Sequence, residues 1–205
     1  MRIIISILFC WGVSACLAQT YPPKAIDKNN QAMVLCNFQH NKDSLNKAIG
    51  LLDEAIRISP SYPMAYMNKA QILCWLGKPE EALDVVLSVE ELISQSPYLC
   101  TGKGLLYEKN RKIVEAKKAY QRSIELLRER LEVNSGNVAD FMNLLYSQFL
   151  LDSKILSLEE VNSMKKTLGV KLNATDDEKL QNWFRNLYSV LERGRMTETY
   201  DQVRL

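Results

Sequence analysis

The sequence predicts an all-α fold, a stack of helix-turn-helix repeats. Residues of matched size recur at a fixed interval, and apolar side chains fall at spacings of three and four. Only 8 glycines and 6 prolines occur in 205 residues, too few for a loop-rich β architecture. Hydrophobic residues make up 47% and charged residues 24%, enough to bury a core. At roughly 150 residues per domain, the length allows one domain, or one with a short appendage.

The interval is set by Ala48, Ala82 and Ala116, each 34 residues from the next. Four positions after each stand the large residues Leu52, Val86 and Tyr120, and twelve before each stand the small residues Cys36, Ala70 and Gly104. Nine before each stand Gln39, Leu73 and Tyr107, of which Gln39 is polar. Small residues on two antiparallel helices let the backbones approach, and larger side chains one turn away fill the gaps. Each unit leaves an apolar face uncovered, so several must stack. The punctuation agrees: Ser59-Pro60-Ser61-Tyr62-Pro63, Gly77-Lys78-Pro79-Glu80 and Ser96-Pro97 break one helix and open the next.

These residues resemble a known family. Tyr66 to Leu83, reading YMNKAQILCWLGKPEEAL, looks like a tetratricopeptide repeat. Ala48 to Pro60 resembles the second helix and closing proline of that motif, and Gly104, Tyr107, Ala116 and Tyr120 match a third unit. The resemblance spans residues 29–130 and implies a right-handed α-solenoid of three units. The family pattern is nearly all packing, so it implies protein binding without naming a ligand.

The elements follow in order. Residues 1–18, MRIIISILFCWGVSACLA, read as a secretory signal peptide: Arg2, an apolar run from Ile3 to Val13, then small residues. The run is shorter than the ~20 residues of a spanning helix. Val13-Ser14-Ala15-Cys16 resembles a bacterial lipobox, which implies acyl chains on Cys16; the alternative is ordinary cleavage after Ala18. Residues 19–28 are expected as a tether containing Pro22-Pro23, and 29–130 as the three units. The second helix of the third unit extends from Ile113 to Leu131. Residues 131–172 read as a divergent fourth hairpin, with helices over Val138–Leu151 and Leu158–Leu168 ended by Gly169. In 173–205, Thr175-Asp176-Asp177-Glu178 gives a capping signal for a helix that covers the end of the stack, before a frayed tail.

Composition narrows the function. Lys+Arg 26 against Asp+Glu 24 leaves a net +2, with no electrostatic case for nucleic acid. One histidine, His40, excludes multi-histidine metal sites, and no clustered catalytic groups are found, so the chain is expected to be non-enzymatic. No cofactor and no small-molecule substrate is expected. Cys36, Cys74 and Cys100 remain beyond the leader, an odd number without C-x-x-C, and read as buried packing thiols. Gly102-Lys103-Gly104 lacks phosphate-loop spacing, and Asn173-Ala174-Thr175 fits a glycosylation sequon of little weight in a bacterium. Glu108 to Lys112 and Lys117-Lys118 read as solvated faces and turns, with anionic lipid or glycan contact as the other reading.

Binding is expected on the concave face, lined by the first helix of each unit. Met33, Asn37, Met67, Gln71, Trp75 and Tyr98 are the expected contacts: methionine and aromatics supply area, amides pair with a peptide backbone. One variant of the family clamps a carboxylate with two asparagines and several cations. Asn37 and Asn68 stand where its asparagines would, but Met33, Tyr98 and Gly102 replace the cations, which argues against a clamp here. The expected function is a protein- or peptide-binding scaffold or adaptor, periplasmic or membrane-anchored in a bacterial cell envelope. The alternative is an immunity or inhibitor protein that neutralises an exported toxin.

Overall fold

The computed structural model describes residues 21–36, 41–154 and 156–186. The expected leader with Cys16, together with Asn37, Gln39, His40 and the tail, lies outside the described residues. The described residues form helices and turns, with no strand among them: α1 (Pro23–Leu35), α2 (Lys42–Ile58), α3 (Pro63–Trp75), α4 (Pro79–Leu87), α5 (Glu90–Ile93), α6 (Pro97–Lys109), α7 (Ile113–Val133), α8 (Val138–Asp152) and α9 (Leu158–Thr167). Residues 174–186 are also helical. They fall into two compact units, divided between Leu126 and Leu127.

Prolines set the starts. Pro23, Pro63, Pro79 and Pro97 each open a helix, where a missing N–H costs nothing and the fixed φ suits the first turn. In the first unit α1 packs on α2, α3 on α4 and α6 on α7, and α2 meets α3 as α4 meets α6. The repeat register is realised in the core: Ala48, Ala82 and Ala116 are fully buried, as are Leu52, Val86 and Tyr120. α2 is amphipathic and buries Leu45, Ala48, Leu52 and Ala55, at the three- and four-residue spacing of one helix face. α3 and α6 bury residues on every side.

Three expectations change. The tether over 19–28 gives way to α1 from Pro23, whose Ala25 and Asn29 are buried. Pro22-Pro23 there is a helix start, not a spacer. Cys36 is the C-cap of α1 rather than a mid-helix small residue; Ala25 and Ala32 allow the close approach instead. The second helix of the middle unit breaks at Ser88-Val89 into α4 and the short α5 with no residue added to the 34-residue interval, so the register does not announce the break.

In the second unit, Asn137 caps α8 by accepting from the Asp140 N–H at 3.1 Å. Asp140 is almost wholly buried and receives Arg130 Nε at 2.9 Å and Asn137 Nδ2 at 2.8 Å, so its charge is neutralised and hydrogen-bonded where it is desolvated. Ser157 and Glu160 form a capping box on α9. The cap of the next helix is Asn173, which accepts from Asp176 N–H at 2.9 Å; the expected signal at Thr175 lies two residues too late. The buried apolar residues of this unit include Leu131, Phe141, Leu144, Leu145, Tyr146, Val161, Val170 and Leu180.

Candidate binding face of the first helices

α1, α3 and α6 form one layer of the first unit. Asn68 Nδ2 of α3 donates to Asn29 Oδ1 of α1 at 2.7 Å, and both amides are buried. On the other side the Met67 thioether methyl of α3 lies over Gly102 of α6, in the space a Cβ there would take. Met67 and Gly102 are near-equivalents one repeat apart, so α3 and α6 run in register.

The structure sorts the expected contacts into three groups. Met33, Trp75 and Tyr98 are half-buried. Met67 and Gln71 are buried, at 2% and 6% exposure, so they do not stand open on a groove as expected. The reason is the flanking helix: Gly102 lets α6 close over Met67. Asn37 lies outside the described residues. Trp75 ends α3, whereas Tyr98 opens α6. In register they are eleven residues apart, ~16 Å along the helix axis.

Gln71 stands out electrostatically. It lies one turn beyond Asn68, and its Nε2 is buried with no hydrogen-bond acceptor among the described residues. A buried amide donor left unsatisfied costs about 1–3 kcal/mol. Buried polar groups of α6 are paired: Thr101 and Ser123 share a 2.9 Å hydroxyl hydrogen bond, and Lys103 pairs with Glu90 of α5. Burial pushes the Glu108 carboxyl up, and its hydrogen bond with Tyr120 opposes this only in part. Burial also raises the Cys74 thiol, against the pull of Lys109. Asn41 caps α2 by accepting from Asp43 N–H at 3.0 Å and Ser44 N–H at 3.3 Å.

The sequence pattern does not single out Asn29, which follows directly on the expected tether. Its signal was the pair of prolines that opens α1. The Thr101–Ser123 pair was legible only as two small polar residues 22 positions apart on helices expected to face each other.

No family model matches the chain, and no curated protein matches it. Among solved structures it is similar to the crystal structure of the Sgt2 TPR domain from Aspergillus fumigatus, at 19% identity and a TM-score of 0.48, over 68% of this chain and 86% of that one. The repeat architecture described above rests on the buried 34-residue register and the paired helices.

Proposed function

We propose that the chain is a non-catalytic, tetratricopeptide-like scaffold that binds a protein or peptide along α1, α3 and α6. The observation that carries this is Gln71 Nε2, a buried donor without an acceptor among the described residues, one turn beyond Asn68 of the Asn68–Asn29 pair. A backbone carbonyl of a ligand would satisfy it. Met33, Trp75 and Tyr98, half-buried on the same three helices, would supply apolar contact at other points of the face, and Met67 stands one turn before Gln71 on α3. Binding requires the cover over Gln71 to part locally. The leader-like run and the lipobox around Cys16 support a site of action in a bacterial envelope, with acyl chains on Cys16 as anchor.

Quantitative affinity capture from envelope extract tests the reading. The bait is the full chain, compared with a Trp75→Ala, Tyr98→Ala variant whose circular dichroism is unchanged. A partner held by the first and lost by the second supports the first-helix face. A partner retained equally by both rules that face out.

A further inference from the structure

The turn between α6 and α7 takes no part in the first-helix face, yet its chemistry is unusual. Arg111 sits there in the left-handed region at φ 60°, and Gly77 makes the same turn one repeat earlier at φ 79°. The backbone bonds correspond. Gly77 N–H donates to Cys74 at 3.1 Å and Lys78 N–H to Leu73 at 2.9 Å; Arg111 N–H donates to Glu108 at 2.8 Å and Lys112 N–H to Tyr107 at 2.9 Å. Two turns with one backbone can be compared position by position.

Gly77 is replaced by Arg111, Pro79 by Ile113 and Glu80 by Val114, while Lys78 and Lys112 stay basic. Arginine takes on a conformational strain that glycine avoids. The other two changes put aliphatics into water: Ile113 is 51% and Val114 66% exposed. Lys109, Arg111, Lys112, Lys117 and Lys118 are exposed around them and form no ion pair among the described residues. Against those five cations stand Glu108 and Glu115, so residues 108–118 carry +3, more than the whole chain's +2. Asn110 pins the turn in place, its Nδ2 donating to Pro79 O at 3.0 Å and Leu106 O at 2.8 Å.

We propose that residues 109–118 are a membrane-contact tip. The cations meet the anionic headgroups of a bilayer, while Ile113 and Val114 enter the boundary between headgroups and acyl chains. A bilayer offers a negative layer and an apolar layer together, which matches five exposed cations within five residues of two exposed aliphatics. Nucleic acid would leave the aliphatics unused, and no aromatic stands between Glu108 and Ala119 to stack on bases.

Vesicle flotation of the full chain tests this, with phosphatidylcholine alone and with added phosphatidylglycerol, at low and high salt. The readout is each variant against the unaltered chain on the same vesicles, so the leader is common to every comparison. An Arg111→Gln, Lys112→Gln variant is expected to lower the anionic partition about 25-fold, at about five-fold per cation. An Ile113→Ser, Val114→Ser variant is expected to lower it as well. A Lys42→Gln, Lys47→Gln control, which removes the same charge elsewhere, is expected to change it little. Circular dichroism and thermal melts verify that each variant is folded. The proposal is overturned if the tip variants float like the unaltered chain, if the control loses as much as the charge variant, or if the serine pair has no effect. Binding to soluble polyglutamate that the same tip substitutions abolish would overturn it in favour of an acidic protein ligand.

Discussion

The Tyr120 ring of α7 fills the space that a Cβ on Gly104 of α6 would occupy. This pair is the repeat made physical: the small first-helix position and the large second-helix position are one contact. Gly104→Ala is therefore expected to destabilise by about 2 kcal/mol, since overpacking outweighs the ~1 kcal/mol gain in helix propensity. Gly50, in α2, has nothing within 4 Å of an added Cβ. Gly50→Ala is expected to stabilise by about 0.5–1 kcal/mol. Gly102→Ala meets only the flexible end of Met67 and is expected to fall between the two. Urea unfolding of the three variants checks the ranking.

Arg111 should be the cheapest strain to remove. Gly77 shows that the turn accepts glycine, and Gly169 at φ 63° makes a similar turn after α9. Arg111→Gly is expected to raise stability by about 0.5–1 kcal/mol, measured by the same unfolding midpoints. A decrease would mean that the guanidinium makes a contact that stabilises the turn.

The thiols give an alkaline signature. Burial raises Cys36 and Cys100 from 9.0 to about 11. Both stay neutral in the folded chain at a pH where the unfolded chain ionises them. Their contribution is thus fully present below pH ~9 and is lost as pH rises toward 11. Cys36→Ala, Cys100→Ala is expected to flatten the fall in melting temperature across that window. Alkylation by iodoacetamide near neutral pH is expected to be slow at Cys36, Cys74 and Cys100 until the chain is unfolded, because all three are buried.

Packing was the legible part of the sequence. Ala48, Ala82 and Ala116 could be aligned because close approach of two helices demands small residues at fixed positions. The extended α7 was legible from its unbroken apolar spacing. The start of α1 was not, because Pro22-Pro23 suits both a tether and a first helical turn. Nor was the burial of Met67 and Gln71. Helical spacing gives the direction of a side chain; it does not say how closely the next first helix approaches, which here depends on Gly102. The exposed Ile113–Val114 pair was hidden too. The register says only that these aliphatics stand where Pro79 and Glu80 do one repeat earlier, not that they are exposed.

Gln71→Met tests the central claim most directly, with melting temperature and partner capture measured on the same protein. Methionine keeps the length of the side chain and removes the buried donor. If Gln71 Nε2 is held for a ligand carbonyl, the variant melts about 3–6 °C higher, from about 1–2 kcal/mol gained. It then captures the partner at least ten-fold more weakly. A variant that melts no higher and captures the partner undiminished would contradict the assignment of this face.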